Sequence, residues 1–450
     1  MTKKQPSKLT LPNAMSRRQA LGVLGMGGLG LGLALAGCGD DADTAAGPET
    51  AVDDFTGTKQ SVILRQSFIA QQNTLREGQA KLWAQENGAE IDFTLGGNWR
   101  ELIAAIVADG TGGDIGELFN NQAFIYENSL VDVSDLVEEL GDQYGGWYDL
   151  AAESAQVDGV WRAVPWAYTA QAINYREDIL TEAGVVAPTT YDELLEVATK
   201  LDEQGLPPAG LSMSQTGPND SANMAYSLLW SFGGAEVEED GKTVAINSDG
   251  TRAALEYFQK LAAVSTPNIT AYDEGGNNRA FLAGEISMTQ NATSIYLTAE
   301  TDAPEVFAGM NHFSYPEGPA GRQEFIQMNL LGIFDFAQNQ EASKDLIRFM
   351  LQPENMDPVV QVGLSFYTPM FPSYEEKANM PWNIDPKLGA LRGTANGGHL
   401  PGWPGPASRA SATAYEQQSV VNMFAAVATG DGIDSAISRA EAELKTAYGS

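Results

Sequence analysis

The chain has 450 residues, 43% of them hydrophobic, and 59 acidic against 26 basic side chains give a formal charge of −33 at pH 7. Such length and apolar content describe a globular protein of roughly two to three domains and exclude a disordered acidic tail. The charge excludes nucleic acid as a partner, because no basic patch is there to neutralise phosphates; one Cys and two His leave little room for disulfide, nucleophile or metal chemistry.

Residues 1–37 carry five basic side chains and no acid: Lys3, Lys4, Lys8, Arg17 and Arg18. An apolar, glycine-laden run at 20–36 follows, and then Leu35-Ala36-Gly37-Cys38. A basic start, a short apolar run and small residues at a cleavage point predict an export signal peptide. The run is shorter than the ~20 residues of a spanning helix, and its glycines weaken it further. Leu-Ala-Gly-Cys resembles the lipobox of bacterial lipoproteins, which implies lipidation of Cys38. Ser16-Arg17-Arg18-Gln19-Ala20-Leu21 resembles the twin-arginine export motif, with Ala20 where that motif usually has Phe. Without the signal, 21 basic residues face 59 acids, a charge of −38. Residues 38–58, small and acidic, predict a flexible tether. Gly25-Met26-Gly27-Gly28-Leu29-Gly30 matches a dinucleotide-binding pattern by letters alone, since no strand precedes it.

Past the tether the periodicity predicts a strand at 61–66, a helix at 72–86 stopped by Gly88, a strand at 89–95 and a helix at 99–108. A third strand at 113–119 delivers Asn120-Asn121-Gln122 to its carboxyl end, where open α/β sheets gather ligands. Val157-Asp158-Gly159-Val160-Trp161 is a predicted hairpin turn, followed by Val164-Pro165-Trp166-Ala167-Tyr168. A strand at 172–175 and a helix at 176–183 closed by Gly184 come next. Thr190-Tyr191-Asp192-Glu193 has the spacing of a capping box opening a helix with Leu194, Leu195, Val197, Ala198 and Leu201 on its core face. Further α/β units run through 219–232 and 249–264, with a hairpin turn at Glu239-Asp240-Gly241-Lys242. Strand–helix alternation argues for mostly parallel sheets covered by helices. His312 and His399 lack metal-ligand spacing and are read as surface or loop residues. No local pattern singles out a pair of glycosidase carboxylates.

From residue 164 onward the pattern resembles the solute-binding proteins of ABC importers, in the branch of maltose-binding protein. The likeness rests on Val164-Pro165-Trp166, Asn174-Tyr175-Arg176-Glu177-Asp178, Ala183-Gly184-Val185, Pro188 and Thr190-Tyr191-Asp192-Glu193-Leu194. It continues through residues 280–288, Leu330-Leu331-Gly332-Ile333 with the following 342–352, and 430–444. The resemblance implies an α/β fold of two lobes with a hinge and a ligand cleft between them. The first lobe would be 59–167 plus 316–356, and the second 168–315 plus 357–450.

By position, the resemblance offers Asn120, Asn121, Gln122, Trp166, Tyr168, Thr169, Asn223, Tyr226, Trp230, Asn291, Trp403 and Tyr415 as ligand-binding residues. Amides suit sugar hydroxyls and aromatic rings suit the apolar sugar face. The implied function is capture of a mono- or oligosaccharide, without catalysis, cofactor or metal, and delivery to an ABC permease. The protein would be a monomer held on the outer face of a membrane, or in the periplasm, through Cys38. A polyol, a glycosylated compound, a sugar phosphate or a surface glycosidase are the competing readings. After Met288, Asn291-Ala292-Thr293-Ser294 lacks the Trp often found in relatives, which favours a solute smaller than a maltodextrin.

Overall fold

Ile115–Phe119 is buried along its whole length, as a strand covered on both faces must be. It lies inside a six-stranded sheet in the computed structural model, which describes residues 54–215 and 218–449. Cys38, the predicted signal and most of the tether fall outside the described residues. Lys59–Arg65 pairs in parallel with Glu90–Gly96 on one side and with Ile115–Phe119 on the other. Gln327–Ile333 runs antiparallel between Ile115–Phe119 and Val164–Thr169, and Thr368–Pro369 closes the far edge. Glu90–Gly96 is the other edge, and its burial alternates residue by residue, as half-covered strands do. Gly116 fits because an added Cβ would come within 2.8 Å of Ile103 and closer still to Phe334.

A second, three-stranded sheet has Ala172–Arg176 at its centre, antiparallel to Met288–Asn291 and to Met310–Phe313. The capping box forms as the sequence predicts: Glu193 N donates to Thr190 Oγ1 at 3.2 Å and Thr190 N to Glu193 Oε2 at 3.2 Å. The helix it opens runs Tyr191–Glu203. The hairpin around Gly241 brings Val237 against Val244.

Two boundaries differ from the sequence expectation. Tyr168 and Thr169, assigned to the second lobe, belong to the six-stranded sheet, so the chain crosses at Ala170 and Gln171. Residues 357–369, also assigned to the second lobe, pack on the first: Gln72 Nε2 donates to Val359 O at 3.0 Å, and Thr368 pairs with Tyr168. The expected boundary cuts helix Pro353–Val362, and the two-residue strand Thr368–Pro369 is too short to carry periodicity. His312, read as a surface residue, is buried on Met310–Phe313, where its Nδ1 donates to the Lys387 carbonyl at 2.9 Å. His399 lies in a short bridging strand and stacks on Trp403 at 4.0 Å between ring centroids.

Candidate functional site

In the six-stranded sheet, Lys59–Arg65, Ile115–Phe119 and Val164–Thr169 all end at one edge, where the antiparallel Gln327–Ile333 begins. That edge faces the second sheet and lines a crevice with Arg65, Phe68, Thr169, Gln327 and Phe366. Arg65 is anchored from behind: its backbone N donates to Glu117 Oε2 at 2.8 Å, and Arg76 Nη1 donates to its carbonyl at 3.2 Å. Arg76 also donates to Glu117 Oε2 at 2.7 Å, a wholly buried ion pair. Burial works against the Arg76 charge, but Glu117 and Tyr367 together outweigh it and raise the guanidinium pKa. The Arg65 guanidinium lies over the Trp99 and Phe119 rings at 5.5 and 5.6 Å, and its buried Nη1 has no partner among the described residues. Phe68 is 49% exposed at the mouth, a flat apolar surface free to stack.

The facing wall is a network of amides around one carboxylate. Asp220, in the first turn of helix Pro218–Ser231, accepts from Gln171 Nε2 at 3.0 Å, Asn277 Nδ2 at 3.0 Å and Asn291 Nδ2 at 2.9 Å. Asn291 also donates to Asn278 Oδ1 at 2.7 Å and accepts from Ser294 Oγ at 3.0 Å, while Asn219 donates to Glu274 Oε1 at 2.6 Å. Burial pushes the Asp220 carboxyl up to about 7; the Asn277 bond opposes that and Glu274 adds to it. The crevice is narrow and open at its mouth. Its polar atoms can bond hydroxyls, carbonyls or amides on a small solute from both sides. No group of three His, Cys, Asp or Glu side chains among the described residues could hold a metal ion.

Residues 80–390 match the family of bacterial extracellular solute-binding proteins. The chain belongs to that family. Its relatives include a "Probable ABC transporter-binding protein" of Deinococcus radiodurans, 25% identical over 201 residues, or 43% of this chain and 48% of that protein. A Brucella abortus protein whose name records only a binding role is 23% identical over 282 residues, 60% of this chain and 66% of its own. The matches thus span between about half and two thirds of these curated relatives. Among solved structures, the fold matches maltose-bound MalE3 of T. maritima with a TM-score of 0.73 and 21% identity, covering 87% of this chain and all of that one. A sugar transporter from Arthrobacter chlorophenolicus with bound laminaribiose matches at 0.74 and 19%, covering 87% and 99%. A solute-binding protein from Agrobacterium radiobacter in complex with ribitol matches at 0.73 and 21%, covering 88% and 100%. The architecture is therefore two α/β lobes with the crevice between them.

In this solute-binding protein, Thr169 and Asn291 lie in the crevice among the residues offered by sequence. Asn120, Asn121, Gln122 and Tyr415 gather beside it, where the lobes touch. Asn120 holds a left-handed backbone, φ 50°, while its Oδ1 accepts from Met328 N at 3.0 Å. Asn223 Oδ1 accepts from Gln327 Nε2 at 2.9 Å, across from the first lobe.

The remaining aromatics do not reach the crevice. Trp166 and Tyr168 were expected on a loop facing it, but they lie in a strand and pack into the interior on opposite faces, because the register slips by one residue between Pro165 and Ala167. Trp166 packs between Arg76, whose guanidinium is 4.7 Å from its ring, and Tyr367; Tyr168 packs edge-on against Tyr148. The register shifts beside Pro165, which has no N–H for the ladder. Tyr226, Trp230 and Trp403 likewise form an interior aromatic cluster with Phe325 and His399. Tyr226 OH donates to Glu236 Oε2 at 3.0 Å inside it. Sequence reasoning missed Arg65, Phe68, Gln171, Asp220, Glu274, Asn278, Gln327 and Phe366. The one available signal was the position of Arg65 at the carboxyl end of the first strand.

Proposed function

We propose that the protein is a lipid-anchored receptor that closes its two lobes on a neutral sugar or polyol and passes it to an ABC permease. Cys38 holds it as a monomer on the outer membrane face, and it performs no catalysis. The first lobe comprises 59–169 plus 327–377, the second 172–325 plus 380–449. The observation that carries the reading is the pairing of an exposed phenyl face, Phe68, with an array of amide donors and acceptors across a narrow crevice. Rings with an apolar face and hydroxyls at their rim match that pairing. Maltose, laminaribiose and ribitol occupy three solved proteins of the same fold, which supports the class. Asp220 and Glu274 in the second wall disfavour a phosphorylated solute.

A thermal-shift screen against monosaccharides, polyols and disaccharides tests the reading. A solute at 100 times its Kd stabilises the folded protein by about 2.7 kcal/mol. A panel that moves the melting temperature nowhere would overturn it. For the anchor, Cys38→Ser is expected to shift the protein out of the membrane fraction, since a diacyl anchor retains stably where one chain does not. Lipid labelling that persists in that variant would defeat the assignment.

A further inference from the structure

Beside the crevice, Arg100 crosses from the first lobe to the second. Its guanidinium lies over the Trp99 and Phe119 rings at 4.9 and 5.0 Å, and its Nη2 donates to Asn219 Oδ1 at 3.4 Å. Burial opposes its charge, but Glu416, Tyr415 and Glu274 together raise its pKa. Arg100 therefore remains a fixed cation between the crevice and helix Arg409–Glu416.

Beyond Arg100 the lobes are in direct contact. Gln122 Nε2 donates to Glu416 Oε1 at 2.9 Å, Asn121 Nδ2 to Ser411 Oγ at 2.8 Å and to Pro401 O at 3.3 Å, and Arg409 Nη2 to Glu127 Oε1 at 3.0 Å. Hydrogen-bond contact between walls leaves no width for a second sugar ring. The crevice that is not bridged by such contacts lies on the other side of Arg100, where the buried Nη1 of Arg65 has no partner among the described residues.

We infer that Arg100 partitions the interlobe cleft and limits the solute to a single sugar ring or a short linear polyol. The inference rests on the sugar or polyol reading above and adds the size limit and the residue that sets it. Arg100 acts by excluding longer solutes, and the Gln122–Glu416 and Asn121–Ser411 contacts hold the partition closed behind it.

Calorimetric titration of the full-length protein in detergent with glucose, galactose, ribitol, maltose, laminaribiose and maltotriose tests this. The wild type is expected to bind at least one single-ring or polyol member, with every disaccharide at least about a hundredfold weaker. Arg100→Met should narrow that ratio roughly tenfold or more, about 1.4 kcal/mol per decade. Gln122→Ala, which leaves Arg100 in place but removes the Glu416 contact behind it together with the bond from Phe119 N, should narrow it less, and it decides the matter if Arg100→Met fails to fold. A wild type that binds maltose, laminaribiose or maltotriose as tightly as the single rings overturns the size limit and leaves the sugar reading intact. An unchanged ratio in a folded Arg100→Met overturns the role of Arg100. Binding of no member of the panel overturns the sugar reading itself.

Discussion

The two walls of the cleft are built on different principles. The first-lobe wall is made mostly of strand ends: Arg65, Thr169 and Gln327 project from a sheet whose backbone is already hydrogen-bonded, Phe68 stands in the bend that follows the first strand, and the buried Arg76–Glu117 pair braces Arg65 from behind. The second-lobe wall depends on side chains holding one another, with Asp220 accepting from three amides drawn from three separate segments. A wall set by backbone presents apolar and cationic surface that loses little when one side chain changes. A wall set by a side-chain network can lose its geometry with a single member.

The largest test of that contrast lies behind the first wall. Trp166→Ala is expected to cost about 3–5 kcal/mol of stability in urea melts, as large-to-small changes in a packed interior do. Solute affinity of the folded variant should be almost unchanged. A tenfold loss of affinity with normal stability would return Trp166 to the cleft.

Asp220→Asn comes next and addresses the second wall directly. An amide cannot accept all three N–H bonds, and hydrogen bonds to a charged group contribute about 1.5–3 kcal/mol each. Loss of one or more through the network should weaken solute binding roughly ten- to a hundredfold by titration calorimetry. The same variant carries a pH signature. Asp220 rises from 3.8 to about 7 on folding, so the folded state binds more protons than the unfolded state between those values. Its contribution to stability therefore falls as pH rises from about 4 to about 7 and is constant above. Melting curves of the variant relative to wild type should improve across that window; parallel curves would show that Asp220 does not titrate there.

The smallest effect is expected at the front of the first wall. Phe68→Ala should weaken binding by about 0.5–1.5 kcal/mol, the contribution of an aromatic face beyond burial, and leave the melting temperature unmoved because the ring is 49% exposed. An affinity loss as large as that of Asp220→Asn would erase the contrast between the walls.

Much of the scaffold was legible from periodicity and caps. Strand–helix alternation through residue 119, the Thr190–Glu193 capping box and the hairpin at Gly241 form at the expected positions. The site was legible only in part. Thr169 and Asn291 lie in the crevice, whereas Trp166 and Tyr168 face inward, because the direction of a side chain in a strand depends on register and bulges that composition does not encode. Asp220 carried no local signal at all: its three amide partners are 49, 57 and 71 positions away along the chain.

By itself, then, the sequence determined the class of fold and those elements with local caps and periodicity, such as the first three strands and the helix opened by Thr190, since each depends on neighbours within one or two turns. It did not determine that most strand pairs of the two sheets run antiparallel. Tertiary structure alone decided which strand ends meet, which aromatics reach the crevice and which carboxylate organises the second wall. Those outcomes depend on contacts between distant segments, and the cost of leaving a buried donor or acceptor unpaired is resolved only when all its partners arrive together.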